Sequence, residues 1–391
     1  MREPPSASWP DVLPLRPFWR TPDDPATASA NERDLLDLVR RRTAVSRADL
    51  ARATGLTAQS VMRLVDELCG RGLLRLGPML PREGRGKPSP SVELVPGHAY
   101  TIGFSVTTDS VSSAVVDFSG AVLGQMQAHT PRIDRASLLD LVQAHVRTHL
   151  RTHALAHDRL FGIGFGITGF FVGENRQVNP PAPLDDLALT DLDRHLSEAL
   201  GLPVWLENDG TAAAVGESLL GVGRWAASFV YLYFSLGLGG GIVVDGRSVR
   251  GAHGNAGEVA GMLPASGMES PTLELLRQML AADGIVFADV GSMLARFDPA
   301  WPACDRWIAR AGPAISLIVS ASVALLDPDA IVFGGRQPRA LAERLIAHVA
   351  IDNTPRRGRK RPEPRLVPAE APNDATAIGA AALPLKEHYF R

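Results

Sequence analysis

At 391 residues, with 45% hydrophobic and 6% aromatic content, the chain has the composition of a soluble protein of two or three domains. No apolar run is expected to reach membrane-spanning length. The net charge of −2 hides a segregation: residues 31–90 carry 12 arginines and lysines against 7 acidic residues, while the residues after 90 carry a net −6. A basic module on an acidic body suits one part that meets phosphate and one that does not. Two cysteines, Cys69 and Cys304, exclude a disulfide framework or a four-cysteine zinc site, and both read as buried thiols. The chain start lacks the basic-then-apolar order of a signal peptide, which points to the cytoplasm.

Residues 1–28 hold seven prolines and read as a disordered or loosely packed leader, with Trp9, Phe18 and Trp19 as possible surface anchors. Asn31 is expected to open a first helix, with Asp34 at its third position and Leu35, Leu36, Leu38 and Val39 for the core. Ser46 can cap a second helix, backed by Asp49 and ended by Gly55. Thr57 caps a third, whose Val61, Leu64, Val65 and Leu68 fall on one face. Two short helices joined by a tight glycine turn describe a helix-turn-helix, although an ordinary helical hairpin shares the pattern. Gln59, Ser60 and Arg63 at the start of the last helix, its cap Thr57, and Arg47 opening the helix before it, are side chains suited to base edges and phosphates. Residues 72–76 and 91–95 read as strands around a loop carrying Arg82, Arg85 and Lys87, the pattern of a wing with a basic tip.

The body begins near Gly97. Strands are expected at 100–106, 112–118, 160–167, 204–206, 229–234, 241–244 and 330–333, with helices at 137–156, 191–200, 211–220, 311–326 and 375–382. Alternating strands and helices imply an α/β body behind an α+β module. The basic run at 356–361 reads as a solvated loop, with a DNA contact as the alternative.

Six motifs in order give the chain a family resemblance: 46–51 (SRADLA), 162–169 (GIGFGITG), 207–210 (ENDG), 237–241 (GLGGG), 254–258 (GNAGE) and 328–335 (PDAIVFGG). The chain resembles the ROK family (repressor, open reading frame, kinase), and within it regulators of the xylose-repressor or N-acetylglucosamine-repressor type. The resemblance implies an actin-like (ribonuclease H-like), two-lobed sugar-kinase fold behind a winged helix-turn-helix, assembled as dimers or tetramers. It divides the chain into a leader (1–28), a DNA-binding domain (29–95), a first lobe (97–211 with 375–391) and a second lobe (212–374).

Kinases of this family place an Asp and two glycines on the first hairpin to position metal and cradle phosphate. Here Ser105, Thr107 and Thr108 stand in those places, Asp109 follows, and Leu236 replaces the usual Thr before the second glycine loop. Kinase activity is therefore expected to be lost, and no cofactor is expected. The sugar side keeps more of the family pattern. Asn208 and Asp209 match the pair that holds the reacting hydroxyl, Glu258 matches a second sugar ligand, Glu274 a third across a divergent loop, and the backbone up to Gly169 is expected beside the ring. Taken alone, Asn-Asp-Gly also reads as a turn and helix cap. Gly261 replaces a family His, and Ala265, Gly267 and Thr272 replace zinc cysteines, so no metal is expected. His253 reads as a solvated loop residue.

The expected function is a sugar-responsive transcriptional regulator, with double-stranded operator DNA and a small sugar or sugar derivative as partners, no membrane, and a homo-oligomeric state. The alternatives are a sugar kinase with an appended DNA module, or a regulator answering a protein or a non-sugar metabolite.

Overall fold

The computed structural model describes residues 28–42, 44–81, 89–130, 132–173, 177–372 and 374–390. At the front, α1 (Ala30–Arg41) is capped two residues earlier than expected. Ser29 precedes it, and its backbone N–H donates to Glu32 at 2.7 Å, so Ser29 and Glu32 take the places assigned to Asn31 and Asp34. In α2 (Arg47–Thr54) Ser46 and Asp49 form the reciprocal box, at 2.9 and 3.2 Å. Gly55 then turns left-handed at φ 71°, a conformation that carries little cost only without a Cβ. α3 (Ala58–Gly70) follows with Val61, Leu64, Val65 and Leu68 buried.

The wing consists of β1 (Leu74–Leu80) and β2 (Ser89–Leu94), antiparallel, with Val45 bridging to Val92 on the far side. Both strands reach further toward the tip than expected, past an irregularity between Leu76 and Met79. Arg82, Arg85 and Lys87 lie outside the described residues, as does the leader to residue 27. Cys304 is buried, but Cys69 is only half-buried, because it lies at the edge of the apolar stripe of α3.

The first lobe is a five-stranded sheet in the order β5-β4-β3-β6-β9. β3 (Tyr100–Val106), β4 (Ser110–Asp117) and β5 (Val122–His129) form an antiparallel meander, and β6 (Leu160–Ile167) and β9 (Val204–Asn208) extend it in parallel. α4 (Arg135–Thr152) and α5 (Leu192–Leu200) cover one face, and a hairpin the sequence reading missed, β7 (Phe170–Val172) with β8 (Gln177–Asn179), caps the end of β6.

After α6 (Asp209–Leu220) the second sheet repeats the same plan: β10 (Phe229–Phe234), β11 (Leu238–Val244) and β12 (Arg247–Val249) antiparallel, then β13 (Ala330–Gly335) and β14 (Arg365–Pro368) parallel to β10. Its core is covered by α7 (Leu263–Ser266), α8 (Leu273–Ala282), α9 (Val290–Leu294), α10 (Pro302–Leu326) and α11 (Arg339–Ile346).

α10 corrects an expectation. It begins nine residues earlier than the sequence suggested and is, by length and composition, long and apolar enough to cross a membrane. One face, including Trp307, Ile308, Ile315 and Val319, is packed in the second-lobe core, and Asp305, Arg306 and Arg310 punctuate its first half, which is the pattern of a core helix.

The chain closes with α12 (Ala375–His388), two turns longer than expected. Small residues let it lie backbone to backbone against α6: a Cβ on Gly379 would come 1.8 Å from the Ala212 carbonyl oxygen. Its far end enters the core of the winged module, where Leu385, Tyr389 and Phe390 join Leu35, Leu36 and Val39. Arg33 of α1 donates to the carbonyls of Lys386 (2.6 Å) and Phe390 (2.7 and 2.9 Å), closing the exposed carbonyl end of that helix.

Candidate functional site

In the winged module, Thr57 caps α3 by accepting from the Ser60 N–H at 3.1 Å, and its Oγ1 lies 2.9 Å from the Ser60 hydroxyl. Gln59, Met62 and Arg63 are exposed on the outer face of α3. Arg63 reaches Glu67 at 2.7 Å, a solvated i,i+4 pair that leaves the guanidinium available. Arg47 does not share this surface freely, because it is paired with Asp66 and ties α2 to α3. Met62 escaped the sequence reading, which sought polar side chains. Its spacing of three from Gln59 is the signal that places both on one face.

The second site gathers at the carboxyl ends of β6 and β9. β9 delivers Asn208 and Asp209 to the start of α6. Asn208 Oδ1 accepts from the N–H groups of Gly210 (2.8 Å) and Thr211 (3.1 Å), so it is a helix cap. Its amide nitrogen donates to the Gly169 carbonyl at 2.7 Å and to Glu258 Oε1 at 3.4 Å. Asp209 accepts from the Thr168 hydroxyl at 2.6 Å and from the Gly210 N–H at 2.9 Å. It is 4% exposed, and no cation pairs with it among the described residues. Burial therefore lifts its pKa to about 6. Glu258, exposed to the cleft from the second lobe, is raised to about 7, first by desolvation and then by the Asp209 charge. Two carboxyls with raised pKa thus share one small region, and the Asp209 charge contributes to the shift of Glu258.

Second-lobe residues close this region. Asn255 donates to the Phe171 carbonyl (2.9 Å) and accepts from the Phe171 N–H (2.7 Å), in the manner of a paired strand. Arg250 reaches the buried Glu207 at 2.8 Å and lies 5.8 Å over the Phe171 ring. Asn255 was legible as part of the 254–258 motif. Thr168 was likewise part of the 162–169 motif, whereas Arg250 carried no signal of its own. Glu274 does not join the group: its carboxylate is held by Arg277 (2.7 and 2.8 Å) and Gln278 (3.1 Å) on its own helix. Gly261 is exposed, with open space beside it. Thr272 caps α8 through Leu275 N–H at 3.1 Å, and Gly267 ends α7. His253 is an exposed loop residue.

At the other end of the cleft, Thr107 donates to Asp109 at 3.0 Å. From the second lobe Asp109 receives Arg336 at 2.7 and 3.1 Å and the Gly291 N–H at 2.7 Å. Burial alone would raise this carboxyl, but the Arg336 charge and these donors hold it below the usual range. Ser105 is buried in β3, Thr108 is buried in the turn, and Leu236 packs on the second-lobe core. A Cβ on Gly210 would stand 2.7 Å from the Gly240 carbonyl oxygen, so the glycine hairpin meets α6 at backbone distance. A cavity of about 880 Å³ lies behind this clasp, lined by Thr107, Tyr231, Tyr233, Arg336 and Thr376 among others.

Comparison with known proteins agrees with both ends of the chain. The ROK family model matches residues 101–270, and the MarR family model matches residues 29–85. The chain is 29% identical over 368 residues to the uncharacterized protein y4fQ of Sinorhizobium fredii, covering 93% of this chain and 92% of that protein. It is 26% identical over 247 residues to the xylose repressor of Bacillus spizizenii, covering 61% of this chain and 62% of the repressor. The crystal structure of a ROK family transcriptional regulator, homologous to the Escherichia coli MLC protein, shares the fold, with a TM-score of 0.68 at 21% identity over 92% of this chain and 96% of that one. A MarR-like winged helix-turn-helix thus stands in front of a two-lobed body that matches the ROK family over residues 101–270.

Proposed function

We propose that the chain is a sugar-responsive, DNA-binding transcriptional repressor. The observation that carries this is Asp209, a buried carboxyl with no cation partner among the described residues, grouped with Asn208, Glu258 and the Gly169 carbonyl where the two lobes meet. Adjacent hydroxyls of a sugar ring supply the donors that such carboxylates lack, and the Asn208 amide adds a second polar partner. α6 starts at this site, α12 lies along α6, and the end of α12 is fastened to α1, so a change of lobe closure has a packed route to the winged module. The ligand shifts DNA binding only by its difference in affinity for the two lobe arrangements.

Operator contact falls to Gln59, Ser60 and Arg63 on α3, with Arg85 and Lys87 of the wing tip on backbone phosphates. A homodimer or tetramer presents two such helices to a pseudo-palindrome with half-sites about 10 bp or a multiple apart. The units are those drawn from the sequence: a leader to 28, a DNA-binding domain to 95, a first lobe of 97–211 with 375–391, and a second lobe of 212–374. The protein works in the cytoplasm without a cofactor.

Phosphoryl transfer is not part of this function. The place where a kinase approaches phosphate holds Asp109, already neutralised by Arg336, and the donors there are spent on that carboxylate. Zinc is not needed either, because Gly267 and Thr272 serve as helix ends. Micromolar ATP binding by calorimetry, or stoichiometric zinc by elemental analysis, overturns these two statements.

The deciding experiment has two stages. A thermal-shift screen of sugars and sugar derivatives identifies the effector, since a ligand of the folded state raises Tm. The effector is then titrated into the protein–operator complex of the parent, Asp209→Asn and Glu258→Gln. Release in the parent with loss or weakening in both variants supports the cleft as sensor. Unaltered release in both rules it out.

A further inference from the structure

Charge is left unbalanced where the DNA-binding module meets the body. On α1, Arg40 and Arg41 share Asp37, at 2.9 and 2.7 Å. The Arg41 guanidinium lies over the turn between β11 and β12: a Cβ on Gly246 would come 2.8 Å from its Nη2. Arg247, the first residue of β12, follows that turn and is exposed. α12 approaches from a third side. Arg33 holds the Lys386 carbonyl at 2.6 Å, and the Arg40 guanidinium stacks 5.6 Å over the Phe390 ring. The half-buried Lys386 ammonium makes no hydrogen bond or ion pair among the described residues. Desolvation, then the charges of Arg40, Arg41 and Arg247, press its pKa down to about 8 against the pull of Asp37. Four cations from three parts of the molecule therefore gather where, among the described residues, Asp37 is the carboxylate that pairs with them.

We infer that this junction is a binding site for a phosphate group, carried either by a free phosphorylated metabolite or by the DNA backbone. A phosphate supplies the negative charge the cluster lacks, and guanidinium forks match its oxygens. Arg41 and Arg247 keep exposed approaches, while Arg40 and Lys386 lie deeper. An occupied site ties α1, α12 and the second-lobe turn together and so fixes the angle of the winged module. Neither the sugar site nor the DNA-facing surface of α3 is needed for the free-anion arm of the test.

The full-length protein is melted in phosphate and in chloride at matched ionic strength and pH 7, as parent, Lys386→Gln and Arg247→Gln. In chloride both variants are expected to melt at or above the parent, because each removes like-charge repulsion. In saturating phosphate the parent is expected to gain about 2–4 °C over chloride, and both variants to lose that gain. That outcome identifies a free phosphate as a ligand. If the parent gains nothing, but each variant lowers the salt-dependence slope of operator binding by about one, the phosphate is that of DNA. No gain and no slope change overturns the proposal. So does a gain that both variants retain, which is the mark of an adventitious ion only.

Discussion

Asp109 and Asp209 stand at opposite ends of the same cleft, each just beyond a strand of the first-lobe sheet and each almost fully buried. Their surroundings differ in one respect. Asp109 receives a guanidinium, a backbone N–H and a hydroxyl, and its pKa falls. Asp209 receives a hydroxyl and a backbone N–H but no positive charge, and its pKa rises to about 6. A buried carboxylate with its cation in place holds a protein together, whereas one left short of charge and donors is positioned to take them from a ligand. The DNA-facing helices repeat the contrast: Arg47 is committed to Asp66, while Gln59 and Arg63 face outward.

The sharpest way to break this comparison is at Asp109. Asp109→Ala leaves Arg336 buried without its counter-charge and is expected to cost about 3–5 kcal/mol by urea denaturation. The double replacement Asp109→Leu with Arg336→Met is expected to recover most of that loss, as removal of both partners does. If Asp109→Ala unfolds like the parent, the clasp contributes nothing to holding the lobes.

Asp209→Asn is expected to do the reverse. Stability stays level or rises, since a charge held without a cation is removed, while effector affinity falls about tenfold to a hundredfold with the loss of charged hydrogen bonds worth roughly 1.5–3 kcal/mol. A stability loss as large as that of Asp109→Ala, with affinity intact, would falsify the contrast.

On DNA the same logic separates Gln59 from Arg47. Gln59→Ala and Arg63→Ala are each expected to weaken operator binding by about 1–3 kcal/mol with the melting temperature unchanged. Arg47→Ala is expected to lower the melting temperature first. Fluorescence anisotropy beside calorimetric melting reads both, and equal operator affinity for parent, Gln59→Ala and Arg63→Ala refutes the placement of α3.

The smallest expected effect is that of pH. A folded-state pKa raised from 3.8 to about 6 favours the protonated folded form, so this contribution to the stability of the free protein is fully present below about 4 and is lost as pH climbs toward 7. Sugar hydroxyls prefer the ionised acceptor, so effector affinity runs the other way, rising with pH through about 6 to 7 and then levelling. Calorimetric titrations across that window test it, and a flat profile in the parent speaks against a carboxyl pair at the site.

The devices that need only neighbours in the chain were legible in the sequence. Ser46, Asp49, Gly55 and Thr57 announce two helices and their turn because a cap and its partner lie within four residues. Asn208, Asp209 and Glu258 came from motif order, and their meeting place is set by strands that pair across the sheet. What stayed hidden depends on closure of the whole chain. Asp109 and Arg336 are 227 residues apart, and Arg33 and Phe390 are 357 apart, so no window of sequence joins them. In the sequence Asp109 was legible only as the residue that follows the altered phosphate loop. Its partner, and hence its part in fastening the lobes, was visible only in three dimensions. Glu274 is the sugar-ligand expectation that the contacts support least, since its register was carried across a divergent loop and its half-buried carboxylate is paired with Arg277 on its own helix.

α12 has a mechanical consequence. Fourteen residues of helix span about 21 Å, and the two ends are held by different parts of the molecule, Thr376 by the Asp209 carbonyl at 3.3 Å and Phe390 by Arg33. It is a rigid lever with its short arm at the cleft. A tilt of about 5° at the Thr376 end carries the far tip through about 2 Å, the scale of displacement at which packed interfaces switch from one arrangement to another. The end of α12 is therefore placed to transmit movement, and a substitution at Phe390 is expected to act on the angle of the DNA-binding module and to leave both binding surfaces untouched.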